Sequence, residues 1–218
     1  MIRLEHLTKT FTLNGKSKTV ANNMSVTFPT NVAVGLLGRN GTGKSTLLRM
    51  IGGVDKPTSG RIVSTGSISP PVSFGGSFHA DMTGRQNVRF VGRIYGVDTD
   101  DLCDFVEDFA ELGVHFRLPV RTYSSGMRSR LAFGTSMGIG FDTYLIDEVT
   151  SVGDAAFKRR CADVLAERMR TAGSIVVTHS MGQIRDLCES GAVLENGKIT
   201  YYEDVEEAIA HHEANMAA

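Results

Sequence analysis

The sequence predicts an α/β fold, with a core of buried strands and helices, a small antiparallel β subdomain before it and an α-helical subdomain inserted into it. Three observations predict this. The apolar runs Val32-Ala33-Val34-Gly35-Leu36-Leu37, Tyr144-Leu145-Ile146 and Ser174-Ile175-Val176-Val177-Thr178 have the length and flanks of buried strands. Ile2 to Thr8 and Met24 to Phe28 alternate apolar and polar side chains, as half-buried strands do. Between residues 84 and 112 the pattern is helical with no strand inside it. A chain of 218 residues is long enough for one large domain or for a domain with a subdomain. The expected division is 1–72 and 141–218 for the core with its β subdomain, and about 73–140 for the helical part.

In chain order, Ile2 to Thr8 reads as a strand, Asn14-Gly15 as a tight turn, and Lys18-Thr19-Val20 and Met24 to Phe28 as further strand segments. Phe11 falls in the first of these turns, and on the residues alone it is a core or turn aromatic. After the apolar run at 32–37 comes Gly38-Arg39-Asn40-Gly41-Thr42-Gly43-Lys44-Ser45-Thr46, which fits the phosphate-loop pattern G-x-x-x-x-G-K-[ST]. Its context is the one the pattern requires, since Thr46-Leu47-Leu48-Arg49-Met50-Ile51 reads as the first turns of a helix.

The chemistry accounts for these residue types. Glycines let the backbone curl so that successive N–H groups point at phosphate oxygens. The helix N-terminus that follows favours an anion. Lys44 adds a full positive charge for the β- and γ-phosphates, and Ser45 offers a hydroxyl to Mg²⁺. A ligand-free glycine turn would not require Lys-Ser in this register.

Pro57-Thr58-Ser59-Gly60 is a turn, Arg61-Ile62-Val63 a short strand, and residues 70–83 a loop. Helices are expected from Gly84 and from Thr99 to Leu112. Asp98 or Thr99 caps the second, and Leu102, Phe105, Val106 and Phe109 form its apolar face. Thr122-Tyr123-Ser124-Ser125-Gly126-Met127 is small and polar and leads into a helix beginning Arg128-Ser129-Arg130. By itself this is a Ser-capped helix start, with N–H donors that an anion can use.

The strand at 144–146 ends in Asp147-Glu148. Two carboxylates at a buried strand end are costly unless a positive partner is near, and Mg²⁺ on a nucleotide is such a partner. Asp147 would hold the metal or its water, and Glu148 could polarise a water for in-line attack. Asp154 is an N-cap for a helix from Ala155 to about Thr171. His179 stands at the C-terminal end of the strand at 174–178, the edge that carries ligands in α/β sheets. A closing hairpin about Asn196-Gly197 and an acid-rich helix from Asp204 to about Asn215 complete the chain.

Composition narrows the function classes. A net charge of -1 argues against a general nucleic-acid binder. No apolar run reaches the length of a membrane span, and the first residues lack a signal-peptide core. Cys103, Cys161 and Cys188 are widely spaced and form no metal or redox motif, so they read as reduced core thiols.

Taken together, the early aromatic, the phosphate loop, the helical insertion, the Ser-rich helix start, the Asp-Glu strand end and the strand-end histidine resemble the ATP-binding subunit of an ABC transporter over essentially the whole chain. The resemblance implies a phosphate-loop ATPase core. It implies that Phe11 stacks on adenine, that Gly38 to Ser45 are Walker A, that Ile146-Asp147-Glu148 is Walker B with the catalytic glutamate, that Asp154 lies in the D-loop and that His179 is the switch histidine. Tyr123-Ser124-Ser125-Gly126-Met127 occupies the position of the usual Leu-Ser-Gly-Gly-Gln signature, and the usual Q-loop glutamine is missing around Ser73 to Gly75.

These departures, with Thr83-Gly84-Arg85-Gln86-Asn87-Val88 and Asp147 to Asp154, narrow the resemblance to the ATPases that export capsular polysaccharide from Gram-negative bacteria. Relatives that export O-antigen often carry an extra carbohydrate-binding domain, for which a chain ending at Ala218 leaves no room.

The resemblance further implies a homodimer that sandwiches two ATP molecules, with Ser124, Ser125 and Gly126 reaching the nucleotide of the partner. It also implies Mg²⁺ as cofactor, further envelope export components, and a peripheral place on the cytoplasmic face of the inner membrane beside an integral permease. The segment from Phe74 to Phe90 is the expected docking surface for that permease. A small-molecule or nucleotide kinase, and a non-transport ABC ATPase working on DNA or the ribosome, are the rival readings. The first leaves Ser124-Ser125-Gly126 unexplained, and the second usually carries a coiled-coil insertion or two fused ATPase domains.

Overall fold

The computed structural model describes residues 1–72, 78–147 and 155–217. Glu148, Asp154 and the stretch Ser73 to Gly75 therefore lie outside the described residues. The chain divides into two compact units, one of Met1–Pro71, Phe141–Glu148 and Thr171–Ala218, the other of Val72–Gly140 and Val149–Arg170.

The first unit holds two sheets. Strands β1 (Ile2–Leu13), β2 (Lys16–Phe28) and β4 (Ser59–Ser64) form an antiparallel sheet in the order β2-β1-β4. The alternation expected of β1 is broken once. Ile2, Leu4 and Leu7 are buried, so the inward face slips by one residue between Leu4 and Leu7. A bulge there inserts the extra residue, with His6 and Asn23 both at positive φ and joined by a 3.0 Å contact between His6 Nδ1 and Asn23 Oδ1. The two strand segments expected after Asn14-Gly15 are one continuous β2. Phe11 lies within β1 and not in a turn, because the β1–β2 ladder runs out to the Leu13–Lys16 pair.

The second sheet has the order β5-β6-β3-β7-β8, built from β3 (Ala33–Leu37), β5 (Thr143–Asp147), β6 (Gly173–Val177), β7 (Ser190–Glu195) and β8 (Lys198–Tyr202). All its pairings are parallel except the β7–β8 hairpin. Helices α1 (Lys44–Ile51), α6 (Met181–Leu187) and α7 (Val205–Ala217) belong to the same unit. One apolar core joins the two sheets, with Leu4 and Leu7 from β1 meeting Leu36, Leu47, Leu48 and Ile175. Phe28 and Tyr201 add an edge-to-face ring contact with centroids 6.4 Å apart.

The register of β5 is pinned from below. The Asp142 carboxylate accepts hydrogen bonds of 2.7 Å from both Ser67 N–H and Ser67 Oγ, and these hold it below the usual carboxylate range. Leu145 N–H donates to Ser69 Oγ at 2.9 Å. These contacts set where β5 ends, and therefore where Asp147 stands.

The second unit is helical, with α2 (Gly84–Tyr95), α3 (Thr99–Ala110), α4 (Ser125–Gly138) and α5 (Ala155–Met169), and single 3-10 turns at Gly113–Arg117 and Val120–Thr122. Local chemistry sets the helix starts. Thr83 and Gln86 form a reciprocal capping box for α2, Asp98 accepts from Asp100 and Asp101 N–H at α3, and Ser124 accepts from Met127 N–H at α4. The buried Asn87 amide bonds His79 N–H and the carbonyls of His79, Met82 and Thr83, fixing the approach to α2.

The expected division into parts differs from the structure in one element. The sequence reading keeps 155–171 with the core, whereas α5 clusters with the helices. Its Phe157 packs on Phe109 at 5.3 Å and beneath the Arg130 guanidinium at 4.2 Å, and Arg160 pairs with Asp108 and Glu111. These partners all come from α3 and α4 or from the turn between them.

The three thiols are buried and unpaired, as expected, and burial pushes Cys161 up to about 11 and Cys188 up to about 12.

Phe109 touches Phe105, Phe133 and Phe157 at once. Phe109→Ala is expected to destabilise the chain by about 3–5 kcal/mol through lost contacts and a residual cavity. A urea titration followed by circular dichroism would show this as a lower midpoint.

Candidate functional site

The site grows from the C-terminal edge of the parallel sheet. Strands β5, β6 and β3 are neighbours and run the same way, so Asp147, Thr178-His179 and the phosphate loop leave the sheet side by side. Residues more than a hundred positions apart in the chain meet there because of strand order alone.

The loop backbone is held between the two sheets of the first unit. Gly38 has φ 151°, and a Cβ there would collide with the Leu194 carbonyl of β7. Gly43 has φ 110°, and a Cβ would come within 2.8 Å of the Val20 side chain of β2. Gly43 is the N-cap of α1. It supplies no side-chain hydrogen bond, and the first turn has no acidic residue, which leaves this helix end suited to an anion. Thr42 closes the turn, its N–H and Oγ1 both donating to the Arg39 carbonyl, at 3.3 and 2.9 Å. Lys44 Nζ donates to the carbonyls of Gly38 at 2.6 Å and Arg39 at 3.2 Å, so its ammonium is folded over the mouth of the loop.

A cleft of about 350 Å³ opens on this loop. Phe11, Asn40, Gly41, Gly43, Lys44, Ser45 and Thr46 line it together with Asp147 and His179. Of the residues expected to contact nucleotide within one subunit, the structure thus brings the early aromatic, most of the loop, the acidic strand end and the histidine to one space. Phe11 is 41% exposed, with Lys9 Nζ 5.1 Å from its ring centroid.

His179 is exposed at the end of β6, where the chain turns sharply into α6. Ser180 caps α6 through Gln183 N–H, and Thr178 Oγ1 bonds Gln183 Oε1 at 2.7 Å, which fixes the backbone on either side of the histidine.

Ser124, Ser125 and Gly126 belong to the second unit, exposed at the start of α4. A Cβ at Gly126 would meet nothing nearer than Ser124 Oγ at 3.9 Å.

Two features escaped the sequence reading. Lys18 and Val20 of β2 line the cleft, Lys18 as the direct cross-strand partner of Phe11. The hairpin turn at Asn14-Gly15 was the signal that could have found that pairing. On the other side of the loop, His212 of α7 lines a second cavity of about 450 Å³ with Gly38, Arg39 and Lys44. Burial lowers the His212 pKa, and the Lys44 charge lowers it further.

Ser45 and Asp147 offer a hydroxyl and a carboxylate to the same cleft. Among the described residues no cluster of three or more His, Cys, Asp or Glu could hold a metal by itself. One carboxylate with one hydroxyl fits Mg²⁺, a hard ion that keeps waters and takes its other oxygens from substrate phosphates. No helix of the described residues is long and apolar enough to cross a membrane.

A phosphate loop, an acidic strand end and a strand-end histidine on one cleft of an α/β sheet define a phosphate-loop nucleotide-binding protein. The sequence model of the ABC transporter family matches residues 21–151, and the chain belongs to that family. It is 46% identical over 212 residues to the polysialic acid transport ATP-binding protein KpsT of Escherichia coli, covering 96% of this chain and 95% of that one. It is 43% identical over 212 residues to the capsule polysaccharide export ATP-binding protein CtrD of Neisseria meningitidis serogroup B, covering 97% and 98%. The fold matches a solved ATP-binding subunit of an ABC transporter with TM-score 0.80 over the whole of both chains at 17% identity. It also matches a dimeric ATP-binding cassette in a post-hydrolysis state, with TM-score 0.78 over 94% of this chain and 99% of that one at 21% identity.

Because the Leu194 carbonyl is backbone, it cannot yield to a side chain at Gly38. Gly38→Ala is expected to cost about 1–3 kcal/mol for the backbone conformation alone. A lower Tm in differential scanning calorimetry is the check.

Proposed function

We propose that the chain is the ATP-binding and ATP-hydrolysing subunit of an exporter that moves capsular polysaccharide across the inner membrane. The observation that carries the reading is identity of 43 to 46% over nearly the full chain to relatives named for polysialic acid transport and capsule polysaccharide export. The cleft supports it by gathering Lys44, Ser45, Asp147 and His179 on one sheet edge.

In this reading, loop N–H groups from Gly41 to Thr46 and the start of α1 receive the nucleotide phosphates. A phosphate oxygen draws the Lys44 ammonium away from the Gly38 and Arg39 carbonyls, because a charged acceptor is the stronger one. Ser45 and Asp147 would hold Mg²⁺, which supplies charge neutralisation at the phosphates. Phe11 stacks on the base, Glu148 orients the attacking water, and His179 contacts the γ-phosphate.

A second copy of the chain completes the site with Ser124, Ser125 and Gly126 at the start of its α4, while Asp154 belongs to the loop between the copies. ATP then joins two helix N-termini, and hydrolysis removes the bridging charge and lets the dimer open.

The permease partner docks on the helical unit. Phe90, the last residue of the expected docking segment, and Ile94 lie one turn apart on α2 and are 53% and 63% exposed, an apolar pair that supports docking at that end of the segment. Attachment is peripheral, on the cytoplasmic face, together with other envelope export components.

Glu148→Gln is expected to retain ATP binding and to lose on the order of 10²-fold or more in turnover, the scale of a positioned general base. Size-exclusion chromatography of that variant with Mg-ATP should show a dimer, and without nucleotide a monomer. Turnover at the wild-type rate would remove Glu148 from the mechanism. Phe90→Glu is expected to leave basal ATP turnover of the purified chain unchanged and to abolish its stimulation by the permease. An undiminished stimulation would move the docking surface elsewhere.

A further inference from the structure

We propose that Lys18 is a nucleotide-binding residue, whose ammonium leaves the Gly41 carbonyl to pair with the phosphate nearest the sugar of the bound nucleotide. The inference rests on the reading of the cleft as a nucleotide site.

Lys18 and Phe11 are direct partners across the β1–β2 ladder, so their side chains leave the same face of the sheet. Both line the cleft. Lys18 Nζ reaches the phosphate loop itself, donating to the Gly41 carbonyl at 3.1 Å. The side chain therefore bridges the aromatic expected to take the base and the loop expected to take the phosphates. A nucleotide laid between Phe11 and Lys44 must pass it.

The charge has no anionic partner in the protein among the described residues: no salt bridge includes Lys18, and its recorded partner is a neutral carbonyl. The other lysine beside Phe11 is placed differently. Lys9 Nζ lies over the ring and donates to the Lys56 carbonyl at 2.6 Å, and it is not part of the cleft lining. A lysine ammonium on a flexible four-carbon stem can exchange a carbonyl for a phosphate oxygen without moving the strand that carries it. The exchange is favourable because the ammonium trades a neutral acceptor for an ionised one and gains the attraction of opposite charges.

Lys18 could instead only brace the loop through the Gly41 carbonyl. Lys18→Gln keeps a donor for that carbonyl but removes the charge, and Lys18→Met removes both. Binding of MgADP and of adenosine to the full chain would be measured by isothermal titration calorimetry at two salt concentrations, with a thermal melt confirming each fold.

The expected result is that both variants weaken MgADP by about tenfold, the scale of one charge-assisted hydrogen bond at a partly exposed site. Adenosine binding should be unchanged, Lys18→Arg should restore most of the loss, and the salt dependence of the uncharged variants should be shallower. MgADP binding to Lys18→Gln within twofold of wild type would overturn the proposal, and so would an equal loss for adenosine. If those results came with Lys44→Ala losing MgADP, the nucleotide site would stand and only the role of Lys18 would fall. A wild-type chain that bound no MgADP would bring down the site reading and this inference together.

Discussion

The fit of the loop at residues 38–43 between two sheets is the constraint on which the rest of the first unit depends. At Gly38 the backbone passes so close to the Leu194 carbonyl of β7 that a Cβ has no room, and at Gly43 it presses on Val20 of β2. One contact belongs to the parallel sheet and the other to the antiparallel one. The loop conformation is thus held from both sides without the ligand. Lys44 Nζ adds its own bonds to the Gly38 and Arg39 carbonyls, which hold the ammonium at the mouth of the loop. A site whose donors are already oriented loses little further ordering entropy when a phosphate enters.

That constraint explains why the antiparallel sheet is more than an appendage. Its β2 contributes Val20 to the fit at Gly43 and Lys18 to the Gly41 carbonyl, while β1 contributes Phe11 to the cleft wall. At the other end, Asn22 N–H donates to the Gly197 carbonyl of the β7–β8 turn at 2.7 Å. The two sheets are joined at both margins of the loop. The bulge at His6 and Asn23 lets one strand pair serve both needs: it keeps Leu4 and Leu7 on the core side and still turns Phe11 and Lys18 toward the cleft.

Much of this was legible in the sequence, for physical reasons that can be named. The phosphate loop reads directly because its glycines, lysine and serine are each demanded by chemistry within a few residues. Capping signals were equally local: of the two cap candidates Asp98 and Thr99 the structure uses Asp98, and the Ser-rich stretch before Arg128 supplies Ser124 as the cap of a helix that begins at Ser125, three residues before its expected start. What was not legible depends on partners distant in sequence. Phe11 looked like a turn residue because polar neighbours hid a ladder that extends far beyond the buried part of β1. Helix α5 looked like part of the core because it follows a core strand, yet its buried Phe157 finds a pocket of aromatic and arginine side chains from α3 and α4. Lys18 carried no motif of its own, and its place beside Phe11 comes from the strand register that the Asn14-Gly15 turn sets.

The two helix starts expected to face a nucleotide are not equivalent as anion sites. The N-terminus of α1 begins at a glycine with no side-chain cap hydrogen bond and no acid in its first turn, and a curled loop of further N–H groups precedes it. The N-terminus of α4 has already used one donor, because Ser124 Oγ accepts from Met127 N–H at 3.2 Å. A phosphate reaching α4 must compete with that hydroxyl or recruit it as a further donor, whereas at α1 nothing has to be displaced from the helix end itself. In the proposed dimer, this difference in prior occupancy favours the α1 end as the first to take the anion. Nucleotide would settle first on the phosphate loop of one copy, and the Ser124 helix start of the other would close on an anion that is already held.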